Sequence, residues 1–166
     1  MIPYVRSDLA FQNAGSDVTA TDLGVELGKG PFGLHSRLTY YEEDQPNDVL
    51  RYFQIHGLIR MSFGNYVELD LGIGPVFFSG RETHSGLSVT TPLRIYPWKL
   101  KGINFEKYIG FEFRPSWGMI GDVVVDDYDI AMLFGLTYSG FRLGYRAVNS
   151  VQESLSGPYL GLSFFY

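Results

Sequence analysis

The side chains in this 166-residue sequence that could do chemistry are few, and most of them are charged. With no Cys, thiolate nucleophiles, thiolate zinc sites and disulfide frameworks are all excluded. His35, His56 and His84 are the only imidazoles. His84 is followed by Ser85, and Asp126, Asp127 and Asp129 stand in a later polar stretch, so a base, a nucleophile and carboxylates are all present. A general base must reach its partner within ~2.6–3.2 Å, and neighbouring positions in a sequence do not supply that contact. His35 and His56 fall among Arg and carboxylates, where a structural hydrogen-bonded role is the default. Glu42, Glu43 and Asp44 together with the three Asp could offer oxygen ligands to Ca²⁺. No spacing resembles an EF-hand loop, so the expectation is a solvated acidic rim without a metal. Gly28-Lys29-Gly30-Pro31-Phe32-Gly33 spells the dinucleotide pattern, which requires a helix N-terminus after it to receive a pyrophosphate. A second strand follows instead, so the segment reads as a hairpin turn, and neither a catalytic residue nor a cofactor is assigned.

The elements that must position these groups are strands. Apolar residues recur at every second position, the period of a strand whose two faces meet different surroundings. Leu23, Val25 and Leu27 alternate with Asp22, Gly24, Glu26 and Gly28. The pattern recurs in Phe32–Tyr40, Phe53–Met61, Val67–Ile73, Leu87–Ile95, Ile109–Trp117, Ile130–Leu136, Phe141–Tyr145 and Leu160–Tyr166, with a less regular first run at Val5–Phe11. This predicts a single all-β domain over residues 1–166, an up-and-down antiparallel barrel of ten strands, or eight if the first run and one other pair poorly. Tight turns at Lys29-Gly30-Pro31, Phe63-Gly64-Asn65 and Ser139-Gly140 alternate with longer polar connections at 13–17, 42–48, 79–85, 119–127 and 149–156. The stretch 98–107 is the one long connection on the tight-turn side.

The polar face decides which side is inside. A soluble barrel shows water a dense mix of Lys, Glu and other polar residues, whereas this face is rich in Gly and holds no Lys. It carries Arg6, Arg37, Arg60, Arg94, Arg114, Arg142 and Arg146 against Asp8, Asp22, Glu26, Glu68, Asp70, Glu112 and Asp129. A balance of that kind suits mutual pairing, and Arg is the cation expected where bidentate pairs are shielded from water. Lys29, Lys99, Lys101 and Lys107 all lie near the tight turns, while the longer connections hold acids and Arg81. Aromatics gather at strand ends: Phe32, Phe63, Tyr66, Trp98, Phe105, Tyr108, Tyr138, Phe141 and Tyr166 at one end, and Phe11, Tyr40, Phe53, Phe77, Trp117, Tyr128 and Tyr145 at the other. Two belts flanking an apolar band are the exterior of a transmembrane barrel. The formal net charge of −5 argues against nucleic-acid binding, and no window reaches the ~18 apolar residues of a membrane helix.

The last segment, Ser156-Gly-Pro-Tyr-Leu-Gly-Leu-Ser-Phe-Phe-Tyr166, resembles the final strand of bacterial outer-membrane β-barrel proteins of the small eight-to-ten-stranded class. The resemblance implies that Leu160, Leu162, Phe164 and Tyr166 form the signal read by the barrel-assembly machinery. It further implies contact with outer-membrane lipid and lipopolysaccharide, periplasmic termini and short turns, and longer acidic extracellular loops. Such proteins carry a secretory signal peptide, and none is visible before Ile2-Pro3-Tyr4, so Met1 reads as an initiator on a mature segment. His84, Ser85 and the Asp residues near them are also distantly similar to the rim sites of the omptin proteases and the lipid A deacylases. The deacylase motif separates its His and Ser by one residue, and omptins are far longer.

Three functions follow as expectations. The leading one is an integral outer-membrane barrel with an Arg and carboxylate filling, serving a structural, lipid-binding or partner-binding role. The second is a narrow pore for ions or small solutes, with room supplied by lumenal Gly at 24, 28, 72, 74, 110, 135, 144 and 161. The third is a hydrolase at the extracellular rim.

Overall fold

The computed structural model describes residues 3–43, 48–80, 82–101, 106–150 and 154–166. They form β1 (Pro3–Asn13), β2 (Val18–Lys29), β3 (Phe32–Glu43), β4 (Asp48–Phe63), β5 (Val67–Ser79) and β6 (Thr83–Thr90). The chain continues through β7 (Leu93–Lys101), β8 (Glu106–Ile120), β9 (Val123–Leu136), β10 (Ser139–Ser150) and β11 (Ser154–Phe165). β6 and β7 are two parts of one stave. They keep a single register on β5, with Thr90 opposite Gly72 and Leu93 opposite Leu69. They also keep one on β8, with Thr90 opposite Ser116 and Leu93 opposite Phe113. Pro92 interrupts the ladder because it has no N–H to donate, while its carbonyl still accepts from the Asp70 N–H at 2.8 Å.

The result is a closed antiparallel barrel of ten staves, one for each alternating run of the sequence. β1 pairs β11 from Arg6 opposite Phe165 to Gln12 opposite Tyr159, and Val5 and Tyr166 exchange backbone bonds of 2.9 Å. Among the described residues, closure leaves no strand at a sheet edge. The irregular first run is a full stave, paired with β2 from Pro3 to Asn13, which removes the eight-stranded alternative. Staves of this length exceed the ~9–11 residues a tilted strand needs to cross a bilayer.

Burial is inverted relative to a soluble protein. Leu23, Val25, Leu27, Ile73, Leu87, Ile130, Leu143 and Leu160 face outward and are 44–65% exposed, while Glu26, Arg94, Glu112 and Arg146 inside are 1–2% exposed. Phe32, Phe63, Tyr66, Trp98, Tyr138, Phe141 and Tyr166 ring the wall at the tight-turn end. At the far end Phe11, Trp117 and Tyr145 are exposed outward, and the Trp117 indole donates to the Tyr128 hydroxyl at 3.2 Å. Tyr108, expected in a belt, instead turns inward to pack with the buried group of Ala10, Ala131, Leu133 and Tyr159. Phe105 lies outside the described residues.

Two connections differ most from expectation. In the stretch 98–107, β7 and β8 stay paired from Trp98 opposite Ile109 to Lys101 opposite Glu106. Residues 119–127 are mostly strand, since β8 and β9 stay paired up to Ile120 opposite Val123 and only Gly121 and Asp122 turn. Val123, Val124 and Val125 are β-branched strand formers, and Gly121 takes the left-handed φ of 59° that the turn demands. Residues 14–17 form a four-residue connection between β1 and β2. Parts of the other far-end connections, with Asp44, Arg81 and Glu153, lie outside the described residues.

Candidate functional site

Alternation places the polar parity of every stave in the lumen, and register then brings opposite charges level across neighbouring strands. Arg60 stands opposite Asp70, Arg94 opposite Glu112 and Glu68, Arg6 opposite Glu26, and Asp129 opposite both Arg114 and Arg146. Glu112 is the hub. It meets Arg94 Nε at 3.0 Å, Arg114 Nη2 at 2.7 Å, Arg6 Nη2 at 3.1 Å and Arg142 Nη2 at 2.9 Å. Toward the tight-turn end, Glu26 accepts from Arg94 Nη2 at 2.6 Å, from the Tyr4 hydroxyl at 2.8 Å and from Arg60. Arg60 forks onto Asp70 through two bonds of 2.7 Å.

Toward the far end the network runs without a break. Arg142 joins Glu112 to Asp8 at 3.1 Å and to Asp129 at 3.7 Å. Asp129 meets Arg37 Nη1 at 2.9 Å and accepts from the Tyr159 hydroxyl at 2.6 Å. Arg37 pairs with Asp22, which also meets Arg146 Nη1 at 3.2 Å. Arg146 closes the series with a fork onto Asp127 at 2.9 and 2.7 Å. Guanidinium planes suit this arrangement because each offers five donors in a fixed fork. Burying so many charges is tolerable only when each is paired and hydrogen-bonded.

All twelve residues expected in the lumenal network, Arg37, Arg60, Arg94, Arg114, Arg142, Arg146, Asp22, Glu26, Glu68, Asp70, Glu112 and Asp129, face the lumen. Glu68 is peripheral, with its side chain 30% exposed and 3.7 Å from Arg94. Asp127, expected on the acidic rim, belongs to the network, because β9 extends beyond it and its odd-numbered parity points inward. Most of the lumenal Gly do not leave free space. Tyr4 lies over Gly28, Tyr108 over Gly135, Tyr159 over Gly144 and Tyr96 over Gly110, each so close that a Cβ would overlap the ring. Cross-strand Gly and Tyr thus interlock, and the lumen beside Asp8, Asp22, Arg37, Arg114, Arg142 and Tyr159 retains a space of only about 10 Å³. That is close to the ~10–15 Å³ needed for one water.

The far end of the lumen is different. Above Arg146, which stacks its guanidinium on Tyr52 at 5.8 Å, the inward residues become apolar. Tyr41, Tyr52, Val76, Ile120, Val125 and Val148 are buried together, with Leu50, Phe78 and Leu155 packed against them. Tyr52 and Phe78 stack at 4.3 Å. Over this floor opens a cavity of about 520 Å³, with Asp122, His84 and Ser150 among its lining residues. The sequence carries a trace of this cup: at Tyr40-Tyr41, Tyr52-Phe53, Val76-Phe77-Phe78 and Val123-Val124-Val125 both parities are apolar and the alternation stops.

The rim residues weighed for hydrolysis are not assembled. His84 lines the cup, whereas Ser85, the next residue on a strand, points to the opposite face. Asp127 and Asp129 are engaged by Arg146 and Arg37. A different pair does meet: His56 Nε2 and Ser88 Oγ lie 2.7 Å apart. Both are buried, and His56 Nδ1 has no hydrogen-bond partner among the described residues to orient it as a base. His35 accepts from Arg114 Nη1 at 2.8 Å and lies parallel to His56, so these imidazoles pack the lumen. Among the described residues no group of His or carboxylates is arranged to hold a metal ion.

No family model matches the chain, and no curated protein matches it. Among solved structures it is similar to a KdgM porin at 9% identity and a TM-score of 0.40, covering 97% of this chain and 98% of that one. It is also similar to the beta domain of the Bordetella autotransporter BrkA at 11% identity and a TM-score of 0.43, covering 99% and 98%. An outer membrane channel from Pseudomonas putida aligns at 8% identity and a TM-score of 0.36, covering 98% and 93%. Ten closed staves, an apolar exterior between aromatic belts and a charged, packed interior give this chain the architecture of a small transmembrane up-and-down β-barrel.

Proposed function

We propose that the protein is an outer-membrane barrel that closes the passage through its own lumen and acts by binding at its far mouth. The observation that carries this reading is the mid-lumen level of Asp8, Asp22, Arg37, Arg114, Arg142 and Tyr159, where the space left is about 10 Å³. In the orientation we propose, both termini and the Lys-bearing turns are periplasmic, and Asp17, Glu42, Glu82 and Asp122 stand on the extracellular rim. The outward side chains contact lipid and lipopolysaccharide. Arg51, exposed on the outer wall with its guanidinium 5.6 Å from the Tyr40 ring centre, is placed to meet a phosphate there. Leu160, Leu162, Phe164 and Tyr166, all outward on or just after β11 and 38–78% exposed, serve as the assembly signal.

Planar-bilayer recording tests the closed lumen. The purified barrel is expected to leave the membrane silent, and the double variant Arg142→Ala with Tyr159→Ala, which empties the narrowest level, is expected to give discrete openings. The second reading, a narrow pore, draws on the unbroken file of charges from Asp127 to Asp70. It predicts openings in the unmodified protein, with ion selectivity altered when Arg60, Arg94 or Arg114 is neutralised.

A further inference from the structure

The apolar cup at the far mouth lies at the wrong depth for a part of the fold that merely packs. Trp117, Tyr128 and Tyr145 mark the far belt on the outside wall, and interfacial aromatics of this kind sit at head-group level. Just past that belt on the same staves the lumenal positions are Gly118, Asp127 and Arg146, and beyond these come Ile120, Val123, Val125 and Val148, so the cup opens past head-group level on the watery side of the last ion pair. Inside the hydrocarbon zone the lumen is charged and solid, whereas past it the lumen is apolar and hollow. An apolar concavity of about 520 Å³ open to water exposes apolar surface at a cost, and its volume falls in the ~300–1,000 Å³ range of small-molecule pockets. Its floor is made of packed side chains whose positions are fixed from below by Arg146 against Tyr52.

The rim supplies the sign of the ligand's charge. Asp122 lines the cavity, and His84, also lining it, has the Glu82 carboxylate 3.6 Å away. Asp17 and Glu43 stand at the same end, Glu42 and Asp126 are there on the outward parity as Arg51 is, and the described base nearest the mouth is His84. An anionic head group would face repulsion from this ring, whereas an ammonium would be drawn to it. We propose that the cup is a binding site for a compact apolar molecule bearing a cationic or uncharged polar end, with the apolar body on Leu50, Phe78, Val125 and Val148 and the polar end at Asp122.

This site deepens the closed-barrel reading, since a blind cup needs the solid floor that the reading supplies. Three probes with one apolar body separate the contributions: 1-aminoadamantane, 1-adamantanol and adamantane-1-carboxylate. In methyl-labelled protein in nanodiscs, the amine is expected to shift the Ile120, Val125, Val148 and Leu155 methyl resonances saturably, the alcohol more weakly, and the carboxylate at least about tenfold more weakly than the amine. Val148→Trp fills the cup and is expected to abolish the shifts. Val123→Trp, on a half-open lining position, does the same if the first variant fails to give the heat-modifiable gel shift of a folded barrel. Asp122→Asn is expected to narrow the gap between amine and alcohol. Shifts confined to the outward Leu143 and Leu162 methyls, shifts unchanged in the filled variant, or a carboxylate binding as tightly as the amine would overturn the proposal. Conductance is read separately, so a leaking lumen with cup binding intact counts against the closed barrel alone.

Discussion

The two levels of the lumen are built on the same staves and by the same inward parity, yet they solve opposite problems. At the hydrocarbon level, the interior could have been apolar without cost to the wall, but it is crowded with guanidiniums, carboxylates and Tyr rings seated on Gly. At the far level, where water is close, the interior is Val, Leu, Ile and Phe around an open cup. The lower level gains rigidity from mutual satisfaction, because each Arg fork fixes two or more carboxylates and a shift of one strand would unpair several ions at once. The upper level has no such reciprocity, and what its apolar groups lack is a partner. A solid charged plug under a hollow apolar cup is the layout of a receptacle with a fixed floor.

The sharpest way to break the comparison is to remove the hub. Glu112→Ala leaves Arg6, Arg94, Arg114 and Arg142 facing one another without their shared carboxylate. Breaking a buried ion pair from one side costs ~3–5 kcal/mol, and a loss of at least that size is expected in urea unfolding from lipid vesicles. A cost below about 1 kcal/mol, the range of solvent-screened surface pairs, would show that the lower lumen is wet and not solid.

Gly135→Ala should rank next. Its new Cβ would overlap the Tyr108 ring, and overpacking of this kind costs ~1–3 kcal/mol. The same unfolding measurement on the pair with Tyr108→Ala sharpens the point, because removing the ring should make the Gly135→Ala change nearly neutral. Two independent, additive costs would mean that the ring and the glycine do not interlock.

How much of this could be read from the sequence depends on whether the relevant signal is periodic. Stave number, lumenal parity and the inward Arg and carboxylates were legible because alternation with period 2 repeats on every strand and fixes all of them at once. Asp127 was misplaced because the two acids before Tyr128 look like loop, and only the ladder from Ile120 to Val123 shows that the strand continues past them. Tyr108 looked like a belt residue because a Tyr at a strand end suits either face. Its parity, shared with Gly110 and Glu112, points it inward, and Gly135 directly opposite on the neighbouring strand seats the ring. The cup was missed because it begins where alternation stops, so that Val76, Val125 and Val148 carried no parity signal in their own runs. The filling of the lumen was misjudged for a related reason: counting Gly measures missing side chains, whereas the Tyr rings that occupy the space come from the neighbouring strand.

The smallest expected effect lies at the cup and completes the contrast. Val148 is buried against Tyr41 and Val125 and lines the open cavity. Truncating a well-enclosed aliphatic side chain costs its transfer free energy plus a cavity term. At Val148 the lost methyl groups only enlarge a space that is already open, so the cavity term nearly vanishes and Val148→Ala should cost no more than the transfer term, at most about 1.5 kcal/mol. Measured in the same vesicles, that modest loss beside the several kcal/mol at Glu112 would locate the barrel's stability in its charged level and free the apolar level for binding. If Val148→Ala instead costs as much as Glu112→Ala, the upper cluster is a second structural core, and its hollowness would have to be explained by something other than an absent ligand.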